Sequence, residues 1–119
     1  MMKSLLVLKS SPEYQKVTDA EFEQKVLKEG LPAVVVFAAE WMGGAMIIHA
    51  IIERLSQLYE GVCFFHMDLG ESKLAREFVV DHTITILFFN DGEMVDHQIG
   101  LTSKAGLKKK IETSFSMND

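Results

Sequence analysis

Two kinds of apolar pattern alternate along the chain. Continuous apolar runs, rich in β-branched or aromatic side chains, are typical of strands buried on both faces of a sheet. Spacings of three and four residues instead predict helices that bury one face. The runs predict strands at residues 31–37, 62–67 and 83–89, and the periodic segments predict helices at 18–30, 45–59, 71–80 and 104–115.

Capping and turn residues set the boundaries of these elements. Thr18 is followed three residues later by Glu21, which is the spacing of a capping box at the start of the first helix. Asp91 and Gly92 readily adopt the positive φ angles of a tight hairpin, so a fourth strand at 94–99 returns antiparallel to the third. We therefore expect one domain at 14–115, between a lead-in at 1–13 and a flexible tail at 116–119.

The order of the elements predicts the fold class. A strand–helix–strand unit pairs its strands in parallel through a right-handed crossover, whereas the hairpin adds antiparallel neighbours. The central strands carry no polar face, so helices must cover both sides of the sheet. We predict an α/β fold with a central mixed sheet and helices on both faces. The lead-in contributes either a short strand at 5–8 or flexible chain.

Composition narrows the classes of function. The chain has 119 residues, which is the size of one domain, and a net charge of −5, which argues against binding to nucleic acid. No apolar run reaches the length of a membrane span, and the N-terminus lacks the apolar core of a signal peptide. A single cysteine cannot form an internal disulfide. We expect a cytoplasmic protein that binds neither membrane nor nucleic acid.

Five segments in a fixed order resemble the thioredoxin family over residues 14–115. They are 35–41 (VVFAAEW), 42–45 (MGGA), Asp68 followed by Leu74, Ala75 and Phe78, 85–93 (TILFFNDGE), and Gly100 followed by Ser103, Lys104 and Leu107. The resemblance implies a thioredoxin-like fold. It also implies the family's activity, thiol–disulfide exchange in cell redox homeostasis, provided that the redox residues are present.

The chain departs from the family at the residues that serve this chemistry. Met42 and Ala45 stand where the family has its two redox cysteines, on either side of Gly43. Other departures replace the loop proline, the proline of the second helix, a buried acid, its lysine partner and the cis-proline; these positions hold Gly44, Ala50, Val36, Phe64 and Ile84. Thiol–disulfide exchange needs both thiols, so the resemblance predicts a redox-inactive member of the family without catalytic residues.

Two of these departures predict local structure. With Ala50 in place of the proline, no backbone N–H is lost, so the helix at 45–59 should run unbroken. A cis peptide bond before a residue other than proline costs about 3 kcal/mol. We therefore expect a trans bond between Thr83 and Ile84.

Two hypotheses about function follow. The first is a non-catalytic protein-binding, assembly or chaperone-like module. It would use a surface formed by Trp41, Met42, Met46 and Ile84, because methionine suits adaptable binding surfaces and exposed apolar patches mark interaction sites. That surface would be covered by a protein partner or by a second copy in a homodimer, unless Met46 and Ile84 turn inward. The alternative is an oxidoreductase that works through Cys63 alone.

The remaining polar candidates predict no further site. Cys63 lies inside an apolar strand, where a free cysteine usually serves as a small core residue. The four histidines are His49, His66, His82 and His97. None of them is spaced from another ligand as in a known metal motif, and no nucleophile accompanies them. We therefore predict no metal site and no cofactor.

Overall fold

The structure, a computed structural model, describes residues 14–27, 30–78 and 83–117. The strands are β1 (Tyr14–Lys16), β2 (Pro32–Ala38), β3 (Cys63–Asp68), β4 (Thr85–Asn90) and β5 (Glu93–Ile99), and the helices are α1 (Asp19–Lys25), α2 (Ala45–Leu58), α3 (Lys73–Phe78) and α4 (Lys104–Ser114). Each strand and helix predicted within these ranges is present, with boundaries shifted by a few residues. The division into lead-in, domain and tail stays a prediction, because 1–13 and 118–119 lie outside the described residues.

The strands form one mixed sheet in the order β1-β3-β2-β4-β5. β3 pairs in parallel with both β1 and β2, and β4 pairs antiparallel with β2 and with β5. This arrangement confirms the parallel crossover and the hairpin. The leading strand of the sheet is β1, which the apolar pattern did not predict; the strand considered at 5–8 lies outside the described residues.

Helices cover both faces of the sheet, as the apolar central strands require. β4 illustrates this, because successive side chains along a strand point to opposite faces. The ring of Phe88 lies 6.3 Å from that of Phe115, just after α4, whereas the ring of Phe89 lies 5.8 Å from that of Phe22 in α1. All but the first residue of β2 are buried. The predicted α/β class is therefore confirmed.

The predicted helix starts and the unbroken second helix are also confirmed. The Thr18 N–H donates to the Glu21 carboxylate at 3.0 Å, and the Ser103 hydroxyl accepts from the Gly106 N–H at 3.0 Å. α2 runs without interruption for 14 residues through Ala50. The Asp19 carboxylate accepts from the Ser72 hydroxyl and from two backbone N–H groups at the start of α3, which ties α1 to α3.

The hairpin between β4 and β5 depends on glycine at position 92. Gly92 has a φ of +83°, and a β-carbon there would lie 2.9 Å from the Leu27 carbonyl oxygen. We expect Gly92→Ala to lower the free energy of unfolding by about 2 kcal/mol, because it combines left-handed strain with a backbone clash. Urea denaturation measures this change. Gly61→Ala is the matched control, since a β-carbon at Gly61 meets nothing within 4 Å. A loss as small as that of the control, within about 0.5 kcal/mol, contradicts the argument.

Candidate functional site

The loop between β2 and α2 forms one side of the site. Trp41 is 66% exposed at its start, whereas Met42 is only 7% exposed. The Met42 side chain folds back over the loop, where its sulfur accepts a hydrogen bond from the Ala39 N–H at 3.1 Å. Gly44 follows with a φ of +88°, a left-handed conformation that favours glycine. The loop therefore ends in a backbone turn that proline, with φ fixed near −65°, cannot adopt.

The loop before β4 forms the opposite side. No cis peptide bond occurs among the described residues, so the bond between Thr83 and Ile84 is trans, as predicted. Ile84 is only 3% exposed, and its carbonyl oxygen accepts from the Gly100 N–H at 2.7 Å. Isoleucine at this position therefore packs into the core at the start of β4 and presents little side chain to solvent.

The predicted four-residue surface is wrong in composition. Trp41 and Met46 are exposed, Met46 by 82%, but Met42 and Ile84 are buried within the chain. The physical reason is that both buried side chains find apolar space beneath the loops that carry them. The four residues therefore do not form one exposed patch.

An open groove lies between the two loops instead. It has a volume of about 350 Å³. Its lining residues are Trp41, Met42, Gly43, Thr83, Ile84, Gly100 and Leu101. Leu101, which is 52% exposed, supplies the wall that the sequence interpretation did not include. The sequence feature that could have identified Leu101 is its position directly after Gly100, a residue that is part of the family resemblance. None of the lining residues carries a charge, so the groove is suited to an uncharged ligand surface.

The positions beneath the loop, where the family has an acid and a lysine, are apolar and buried. Val36 is fully buried on β2, and Phe64 is almost fully buried on β3. Their side chains lie on the same face of the sheet, because Val36 is in register with His66 and Phe64 is two residues earlier on that strand. Val36 and Phe64 carry no ionisable group, so neither could exchange a proton with a group in the groove.

Cys63 lies at the far end of the sheet from the groove. It is half-buried at the start of β3 and in register with Ala33, whereas the groove loop follows the other end of β2. Five residues separate Cys63 from Asp68 along β3, which is roughly 16 Å at the rise of a strand. The structure therefore does not bring Cys63 to the loop.

Two of the four histidines contact a tyrosine in a cluster formed by β1, α2 and β3. The Tyr14 hydroxyl lies 2.7 Å from Nδ1 of His49, and the ring of His66 lies 4.8 Å from that of Tyr14 and 5.2 Å from that of His49. Sequence reasoning missed this group, because its members come from three elements and share no spacing. His97 is exposed on β5, and His82 lies outside the described residues.

Burial sets the ionisation of this group. It lowers the pKa of His66 to about 4, with smaller contributions from His49 and Lys16, and it lowers the pKa of His49 as well. Burial also raises the pKa of Tyr14, with Glu53 adding to the effect. Both imidazoles are therefore neutral near pH 7, and the tyrosine keeps its proton.

Neither a metal centre nor a membrane helix is found in the described part of the chain. No three His, Cys, Asp or Glu side chains there lie together in a way that could hold a metal ion. No helix formed by those residues is long and apolar enough to cross a bilayer.

Comparison with known proteins places the chain in a family. The thioredoxin family model matches residues 13–113. A thioredoxin of Rickettsia typhi is 37% identical over 101 residues, which is 83% of this chain and 96% of that protein. The chloroplastic thioredoxin M4 of Arabidopsis thaliana is 31% identical over 84% of this chain and 53% of its own length. The solved structure of a Malassezia sympodialis thioredoxin has a TM-score of 0.74 at 25% identity, covering 85% of this chain and 90% of that one. The chain belongs to the thioredoxin family.

Proposed function

We propose that this chain is a redox-inactive member of the thioredoxin family that binds an extended segment of another protein in the groove beside Trp41. The observation that carries the proposal is the replacement of both redox cysteines by Met42 and Ala45, in a chain whose one cysteine lies at the other end of the sheet. Relatives named thioredoxin favour the family's oxidoreductase activity as the competing function.

The chemistry of disulfide exchange argues against that competing function. One thiolate attacks the disulfide and a second thiol resolves the mixed disulfide, so a single cysteine stops at the first step. The attacking thiol is normally activated at a helix N-terminus, but Met42 holds the attacking position, just before α2. Cys63 is half-buried within a strand. It therefore does not lie at a helix N-terminus, and the chain has no second cysteine to resolve a mixed disulfide.

The character of the groove supports an apolar polypeptide as the ligand. Trp41 and Leu101 both line the groove and offer large exposed apolar surfaces, and tryptophan is enriched among residues that dominate binding energy. The volume of about 350 Å³ lies at the lower end of the range for ligand sites, enough for one or two side chains of a segment that crosses the groove. The net charge of −5 disfavours an acidic segment.

Trp41 is also the reporter for the experiment, because it is the only tryptophan in the chain. We would select tryptophan-free 12-residue peptides from a displayed library on the wild-type protein and titrate the recovered peptides by Trp41 fluorescence. We expect a saturable shift in emission. The Leu101→Asp variant should weaken binding at least tenfold, because a carboxylate would lose its water at the apolar wall.

Leu58→Asp is the matched control, since Leu58 is similarly exposed at the far end of α2. Equal affinity of wild type and Leu101→Asp for the selected peptides argues against the groove as the binding site. Sedimentation of the free protein tests whether a second copy of the chain occupies the groove. A dimer that Leu101→Asp or Met46→Glu disrupts would identify a second copy of the chain in place of another protein.

A further inference from the structure

Strand β1 is held to the sheet by few contacts. Within the described part of the chain it has three residues, lies at the edge of the sheet and pairs only with β3. The Val17 N–H donates to the His66 carbonyl oxygen at 2.9 Å and closes this pairing. Val17 directly follows the strand and is buried in the core. The residues that can separate from the sheet are therefore Tyr14 to Lys16. Lys16 also forms an ion pair with Glu71 at 2.6 Å, and the Gln15 side chain accepts from Lys25 at 3.2 Å, so the side chain of Tyr14 is the anchor that joins the strand to α2.

That anchor is packed against two imidazole rings. The Tyr14 hydroxyl bonds to His49 Nδ1 at 2.7 Å, and its ring lies 4.8 Å from the ring of His66. Because burial raises the pKa of Tyr14, the hydroxyl donates and His49 Nδ1 accepts, which requires a neutral imidazole. The arrangement thus joins β1 to α2 and β3 through two imidazoles, which would bind protons in mildly acidic solution once they were exposed to water.

We propose that Tyr14, His49 and His66 form a pH-sensitive latch: while both imidazoles are neutral, β1 stays paired with β3, and proton uptake in mildly acidic solution releases it. Two protonated rings 5.2 Å apart would repel each other in a half-buried site. Release places both rings in water, where they bind protons without that cost. The latch is independent of the binding groove and of the proposed function.

Charged groups from each element around the cluster modify this balance. On β1, Lys16 lies in register with His66 and lowers its pKa. On β3, Asp68 raises the pKa of both imidazoles, although burial remains the larger effect. On α2, Glu53 interacts with Tyr14. The neighbouring residue of β2 is Val36, which carries no charge.

The direction of the pH effect follows from proton linkage. His66 has a pKa of about 4 in the latched state, and a solvent-exposed imidazole has one of about 6.5. The released state therefore binds more protons between these values, and acid favours release. Because the ring is only half-buried, we expect His66 alone to increase the released population about tenfold between pH 7 and pH 5.

Release would change the surface that the sheet presents. The edge of β3 now covered by β1 would show unpaired N–H and C=O groups, and such an edge accepts another strand. The device would thus expose a strand-pairing edge in mildly acidic surroundings and cover it near neutrality.

Amide hydrogen exchange of the full chain, followed by NMR, tests the latch. The Gln15 N–H faces β3, because N–H groups alternate sides along a strand and that of Val17, two residues on, bonds to β3. After correction for intrinsic exchange rates, the Gln15 amide should lose about tenfold of its protection from pH 7 to pH 5, while the amides of β2 keep theirs. In a His49→Gln, His66→Gln double variant this loss should disappear. His97→Gln is the control, because His97 is exposed on β5, and it should behave as the wild type does.

Three results would overturn the proposal. They are constant protection of the Gln15 amide in the wild type, an equal loss in the double variant, and a parallel loss in β2, which would mean global unfolding. If the double variant does not fold, the wild-type imidazole Hε1 signals decide the matter. Both cluster histidines must titrate below the ordinary value of about 6.5, and a titration of either at or above that value contradicts the latch.

Discussion

Replacing Val36 by aspartate is expected to lower the free energy of unfolding by about 4 kcal/mol at pH 7. The position is fully buried, and Phe64 now stands where the family places a lysine. His66 lies opposite in register, but burial lowers its pKa, so it supplies no positive charge near neutrality. An unpaired carboxylate there would lose its hydration without gaining a partner.

Urea denaturation at pH 7 and pH 5 measures this loss and its pH dependence. Burial raises the pKa of a carboxyl group, so the folded variant keeps a proton that the unfolded chain has released above about pH 4. The deficit relative to wild type should therefore be larger at pH 7 than at pH 5. Val95→Asp, at an exposed position on β5, is the control and should change stability little. A deficit at Val36 no larger than at Val95 would contradict the argument that an unpaired carboxylate is costly at this buried position.

Placing cysteines at both redox positions of the loop is expected to produce a weak disulfide reductase. In an insulin-reduction assay with dithiothreitol, wild type and Cys63→Ser should both stay at the background rate. The Met42→Cys, Ala45→Cys double variant should exceed it, because the first thiol would lie just before the N-terminus of α2, where the helix dipole lowers the pKa of a nearby thiol, and the second would resolve the mixed disulfide.

The single variants serve as the matched controls for this experiment. Met42→Cys alone can form a mixed disulfide but cannot resolve it, so it should show no turnover. The double variant should remain weak, because Val36 cannot take up a proton. Turnover by the wild type that Cys63→Ser abolishes would refute the redox-inactive proposal and establish the oxidoreductase function through Cys63.

Local signals explain why most of the fold could be predicted. The β-branched run in β2 and the Asp91-Gly92 turn each encode one element within a few residues, and the topology follows from their order. β1 escaped prediction because a strand of three half-exposed residues leaves no apolar run. Its place in the sheet is decided by Tyr14, whose partners are distant in sequence.

The candidate site was predicted less well, because its surface depends on side-chain direction. Sequence positions identify the two loops, but not whether Met42 points outward or returns to accept a bond from Ala39. Sequence position likewise does not show that the Ile84 side chain is buried in the core. Nor does it show that Leu101 lines the groove, because this depends on how the loops are arranged.

The left-handed turn at Gly44 bears on how this loop can change by mutation. Its φ of +88° lies far from the value near −65° that proline requires, so a single substitution to the family's proline would not fit the present backbone. A β-carbon at Gly44 would also lie 2.6 Å from a terminal methyl of Leu101. A loop with the family's proline and two cysteines would therefore need a rearranged backbone and a displaced Leu101 side chain as well as the new residues, so no single substitution produces it.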